Sequence, residues 1–122
     1  MWTLYRPYHL CNLETPISIA KAVLDKESTI VPAGGLVSEC IAKAKKDLKV
    51  GETIDGIGGY TAHGSIATYE ESQREGYWPM GLLTEKARVI RAIKQGDILT
   101  RANVAVDETT LIYKLRQEQS LF

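Results

Sequence analysis

Apolar residues fall at helical spacing near the start of the chain and in short alternating runs, punctuated by glycine and proline, over the rest of it. Ile17, Ala20, Val23 and Leu24 form the helical stripe. Thr15 in front of it is a good N-cap, and Pro16 suits the first helical position, where its missing N–H costs nothing. A helix is therefore expected from Thr15 to about Asp25 or Glu27. The preceding residues 1–14 hold Trp2, Tyr5 and Tyr8 around Pro7 and read as an extended aromatic arm available for docking. Thr29, Ile30 and Val31 make a short β-prone run, stopped by Pro32 and Gly34-Gly35. Residues 36–44 alternate as a strand would, with Val37, Cys40 or Ile41 on the buried side.

The same pattern of residues then occurs twice, forty-five positions apart. Residues 42–55 read AKAKKDLKVGETID and residues 87–100 read ARVIRAIKQGDILT. Ala42/Ala87, Lys49/Lys94 and Gly51/Gly96 are identical, while Lys43/Arg88, Lys46/Arg91, Leu48/Ile93, Glu52/Asp97 and Ile54/Leu99 keep charge or shape. Each copy predicts a strand, a tight turn at the glycine and a second strand, because glycine adopts positive φ without steric cost and acidic residues favour turns. Two copies imply a small β module with internal pseudosymmetry and fall short of an array.

Between and after the copies the punctuation is clear. Residues 61–67 predict a strand, and Thr68 with Glu71 has capping-box spacing for a short helix over residues 69–75, before Gly76. Pro79 and Gly81 mark a turn, with Leu82-Leu83 and residues 87–93 as strands leading into the second copy. Thr100 caps a short turn through Asn103, and Val104 and Val106 resume an apolar edge. Residues 108–119 place Leu111, Ile112 and Leu115 on one helical face, with Asp107 or Thr109 as cap.

Composition narrows the partners more than it names them. At 122 residues the chain has room for one core without disulfides or metal. Fifteen basic and fifteen acidic residues are interspersed, which leaves no electrostatic footprint for nucleic acid or an anionic membrane. The N-terminal run lacks a signal peptide's basic start and apolar centre, so a cytoplasmic location is expected, with Cys11 and Cys40 as reduced thiols. His9 and Cys11 have HxC spacing, but a metal site needs two more ligands. Gly56, Gly58 and Gly59 invite a phosphate-binding reading, which fails because Thr61 stands where a GxGxxG fingerprint requires glycine. A structural glycine-rich bend is the better reading. No nucleophile motif is present, and no catalytic residue is assigned. Arg6, with its bidentate guanidinium, and His9 flank the aromatic arm, and Tyr60, His63 and Trp78 are the remaining residues able to meet a small ligand. Trp78 beside a turn reads first as a plug of a small core.

The copies LKVGETID and IKQGDILT, with Arg101-Ala102-Asn103-Val104 after the second, resemble the SAF domain, a β-clip module. The longer runs YRPYHLCNLETPISIAKAVL, AKAKKDLKVGETIDGIGGYTAHG and WPMGLLTEKARVIRAIKQGDILT resemble the C-terminal region of homoserine-dehydrogenase-like NAD(P)-dependent oxidoreductases that end in such a domain. That resemblance implies a fold that is mainly β with a few helices: an arm and docking helix over residues 1–27 and a β-clip over residues 28–122. It implies Rossmann and catalytic domains as partners, a homo-oligomer, and NAD(P) bound by the intact enzyme and not by this chain. It also puts Arg6, His9 and Glu14 near the cofactor and substrate cleft of that enzyme, and Tyr60 and His63 remain candidate ligand-facing residues. The family's dinucleotide fingerprint and catalytic lysine have no counterpart here, so a role in assembly and cleft closure is expected. An autonomous module binding a sugar acid or sugar phosphate, and a purely structural oligomerisation domain, are the competing expectations.

Overall fold

A computed structural model describes residues 11–30 and 35–119. The chain divides into two compact units, Met1–Ala33 and Gly34–Phe122. It combines a few helices with small antiparallel sheets of short strands.

In the first unit, helix α1 covers Cys11–Ala20 and continues as a π-helical turn over Lys21–Asp25. The chain is thus already helical four residues before Thr15, and Pro16 lies inside the helix. Thr15 is not the cap. Proline's fixed φ is helical, and although inside a helix it loses an N–H bond and its ring crowds the carbonyl four residues back, a helix can carry it, so a Thr-Pro pair does not locate a helix start by itself. The end agrees with the pattern: Lys26 turns left-handed at φ 60°, and Lys21 and Glu27 close the last turn with an ion pair of 2.9 Å. No strand forms at Thr29 or Ile30; Val31 and the arm over residues 1–10 lie outside the described residues.

In the second unit, strand β1 (Ser38–Ala44) pairs antiparallel with β2 (Ala62–Thr68), Ser38 opposite Thr68 and Ala44 opposite Ala62. Helix α2 follows at Tyr69–Arg74, where the Thr68 hydroxyl accepts the Glu71 N–H at 3.1 Å, the cap that the spacing predicted. A 3-10 turn at Met80–Leu82, the two-residue strands β3 (Arg88–Val89) and β4 (Val104–Ala105), and helix α3 (Leu111–Gln119) complete the unit. Ile41 is buried, whereas Val37 and Cys40 are exposed. Asp107 and Thr109 hold the turn before α3, but the hydroxyl that accepts the helical Tyr113 N–H is that of Thr110, at 3.3 Å.

The two sequence copies bond to one another rather than each to itself. Leu48 and Ile93 exchange both backbone hydrogen bonds, at 2.8 and 3.0 Å. Around that pair the bonds recur at the forty-five-residue offset. Ala44 donates to Asp97 and Val89 to Glu52, each at 2.9 Å; Gly51 donates to Val89 and Gly96 to Ala44; Ile54 donates to Ala87 and Leu99 to Ala42. Gly51 and Gly96 sit at φ 85° and 88°, and the carboxylates of Glu52 and Asp97 accept the amides of Lys49 and Lys94 across each turn. Because the bonds alternate between partners and turns interrupt them, most appear as isolated bridges such as Lys43–Ile98 and Thr53–Arg88. This is why regular strand is scarcer than a mainly β reading anticipates, residues 87–93 giving only the short β3.

The side chains of the copies supply the core. Ala42 and Ala87, Ala44 and Val89, Leu48 and Ile93, and Ile54 and Leu99 are all buried, together with Trp78, Leu83 and Val104. Trp78 is the plug that its place beside Pro79 suggested: its indole N–H donates to the Val104 carbonyl at 2.8 Å, Tyr113 packs tilted against it and Arg101 lies over its face. A Cβ at Gly51 or at Gly96 would meet no atom within 4 Å, so an alanine there suffers only from its backbone conformation. Gly51→Ala and Gly96→Ala should each lower unfolding free energy by about 1–2 kcal/mol, measured by urea denaturation, while Gly81→Ala, also unobstructed but without positive φ, should change it little.

Candidate functional site

The expected site residues divide between the units. Arg6 and His9 lie outside the described residues. Glu14 is on an exposed face of α1 in the first unit. Tyr60 and His63 belong to the second, Tyr60 at the end of the glycine-rich bend and 87% exposed, and His63 three residues further on, exposed on β2 opposite Lys43.

The bend itself is closed by its own side chains. Asp55 accepts the Tyr60 amide at 2.6 Å, the Thr61 amide at 3.1 Å and the Thr61 hydroxyl, while its own N–H donates to that hydroxyl at 3.2 Å. Lys45 Nζ reaches over to the Gly59 carbonyl at 2.5 Å, and the Gly59 amide donates to the Gly56 carbonyl. Gly59 is obligatory for a steric reason, since a Cβ there would fall 2.2 Å from the Asp55 carboxylate. Glycine-rich loops that bind phosphate offer free amides to an anion. Here the Asp55 carboxylate takes that position, so the bend is a structural element, and Tyr60 is presented on a rigid base.

A second concavity was not anticipated. β1, the 3-10 turn and α3 enclose a cleft of about 370 Å³ lined by Glu39, Cys40, Leu82, Ile112, Leu115 and Arg116, among others. Arg116 is spoken for: its guanidinium bonds Glu39 and the Gln119 carboxamide, and stacks 5.3 Å from the centre of the Tyr69 ring. Its charge therefore fixes α3 on β1 and is not offered to an incoming anion. The sequence hint was the spacing of Ile112, Leu115 and Arg116 on one face of α3, but an arginine on a helix gives no sign of which distant glutamate it will meet. Neither Tyr60 nor His63 lines this cleft.

His63 and Ser65 share one face of β2, opposite Lys43 and Ile41, with no third group to orient the imidazole among the described residues. Among those residues, no three His, Cys, Asp or Glu side chains stand together so as to hold a metal ion. Among them, too, no helix is long and apolar enough to cross a membrane. The chain matches no protein-family model and no curated protein.

Asp55 gives the pH dependence of the bend. The Thr61 hydroxyl first, and the Tyr60 and Thr61 amides with it, lower its carboxyl to about 2, against the opposing effect of partial desolvation. An unfolded aspartate titrates near pH 3.9. Folding is therefore favoured by this group above that value, and the benefit disappears as pH falls from about 4 through about 2. Asp55→Asn should be less stable than the parent at pH 7 by about 1 kcal/mol, a solvent-screened hydrogen-bond loss, with the gap in denaturation midpoint closing over that window. A gap that stays constant down to pH 2 would rule out this role.

Proposed function

We propose that the second unit is an SAF-type β-clip and that the chain is the C-terminal module, as a fragment or a separate subunit, of an NAD(P)-dependent homoserine-dehydrogenase-like oxidoreductase. Its work is assembly and closure of the active-site cleft on Rossmann and catalytic domains that carry the chemistry. The mutual hydrogen bonding of the two sequence copies supports the clip, since a β-clip folds two such halves on each other.

One observation carries the docking role. In α1 and the turn after it, Ile17, Ile19, Val23 and Leu24 are all between 60% and 77% exposed, and the π-turn buries none of its residues. Each such side chain gains about 1.5–3 kcal/mol when fully covered. A contiguous apolar helix of this kind is what a missing domain would cover. Glu14 on the same helix then lies at the rim of the contact, on the side of the cofactor cleft. The competing reading, a sugar-acid or sugar-phosphate site around Tyr60 and His63, is less well supported because Asp55 already uses the amides that would cradle an anion.

Mixing the chain with the corresponding Rossmann and catalytic half should give a complex at tens of micromolar in light scattering, and Ile17→Glu with Leu24→Glu should weaken it at least tenfold without altering the chain's own unfolding transition. Absence of any association at those concentrations would sink the proposal.

A further inference from the structure

Strand β2 has one edge bonded to β1 and one edge bonded to nothing among the described residues. Lys45 N–H donates to the Thr61 carbonyl and Tyr69 N–H to the Val37 carbonyl, both at 2.9 Å, and these bonds fix the phase of the ladder. Residues 63, 65 and 67 turn their backbone groups toward β1, so the N–H and C=O groups of Ala62, Gly64, Ile66 and Thr68 point the other way. On β1 the equivalent outward groups are used: Ala42 donates to Trp78 and Ala44 to Asp97. On β2 the backbone groups of Gly64 and Ile66 have no partner among the described residues. Ala62 is buried, but Gly64 and Thr68 are exposed and Ile66 is 83% exposed.

The strand's own residues carry none of the charges or prolines that usually blunt such an edge. Residues 62–68 read AHGSIAT, with no lysine, arginine, acid or proline. We propose that the outer edge of β2 pairs antiparallel with β2 of a second copy of this chain, joining the two β1–β2 ribbons into one four-stranded sheet about a twofold axis at Ile66.

The sequence of the edge fits its own copy. Antiparallel pairing centred on Ile66 sets Ile66 against Ile66 and Gly64 against Thr68 in both directions, which matches the outward groups of both chains at once. Each Ile66 already stands beside Cys40 of its own β1, so the two exposed isoleucines cover one another across the axis. Charge fits the same direction. The Ala62 end is basic, with Lys43 opposite His63 and Lys45 beyond, and the Thr68 end runs into Glu70 and Glu71 of α2. An antiparallel pair brings the basic end of each copy to the acidic end of the other, whereas a parallel pair would oppose like charges. The shared edge is only a few residues long, so the dimer is weak, with a dissociation constant on the order of 100 µM.

Sedimentation equilibrium of the full chain from about 10 µM to 1 mM tests this directly. The mean mass should rise from 13.5 kDa toward twice that value, and amide exchange at Gly64 and Ile66 should slow as concentration rises. Ile66→Pro removes only an N–H that points away from β1, and Ile66→Lys sets two like charges across the axis. Each should weaken the dimer at least tenfold while the far-ultraviolet circular dichroism stays unchanged; if the proline variant unfolds, the lysine variant, altered only in solvent, carries the test. A monomer throughout the range, or a dimer insensitive to Ile66→Lys, overturns the proposal. A dimer lost instead on Ile17→Glu also overturns it, since the contact would then be α1. Binding to a Rossmann partner does not depend on Ile66, so the two proposals fail separately.

Discussion

The pair of backbone hydrogen bonds that Leu48 and Ile93 exchange is the point about which the second unit is built. Once these two residues are opposed, the offset between the copies leaves little freedom to the remaining bonds. The amide of each turn glycine meets the copy on the other side, and the four matched pairs of apolar side chains meet in one core. The turns make this possible. Only a chain that reverses within two residues at Gly51 and Gly96 can return each half to the other, and the left-handed conformation at both positions is available cheaply to glycine alone. Neither half could bury its apolar residues by itself, because the acceptors for its amides lie on the other half.

From that closure follows a division of labour. Trp78 and Val104 seal the core from one side, α3 is fastened to β1 by Arg116 and Glu39, and the Asp55 carboxylate ties down the glycine-rich bend. These polar contacts are internal. Among the described residues, apolar side chains of α1 are exposed in the first unit, and the outer edge of β2 has no backbone partner in the second.

Several parts were legible in the residues for a physical reason that is local. Thr68 and Glu71 announce α2 because a cap is satisfied within three residues, and Thr100 with Asn103 does the same for the turn before Val104. Gly51 and Gly96 announce turns because the steric rule that selects them acts on one residue. Where the reading went astray, a distant partner had decided. Thr15 and Pro16 fit a helix start and stand inside a helix. Residues 87–93 have the composition of a strand, yet their bonds are distributed among Glu52, Leu48 and Asn103, so only two residues qualify. Tyr60 and His63 were noticed for their chemistry, but which amides the bend had left for a ligand depended on where the Asp55 carboxylate came to rest.

The sequence by itself therefore determined the repeat, the turns and the short capped helices, since each depends on backbone conformation or on contacts a few residues apart. Tertiary structure alone decided that the copies bond to each other, that Arg116 belongs to Glu39, that Cys40 faces out while Ile41 faces in, and that one edge of β2 has no partner among the described residues. The reason is common to all four. Hydrogen-bond acceptors and apolar faces are supplied by segments tens of residues away, and a residue's own neighbours in the chain carry no record of which of them it will meet.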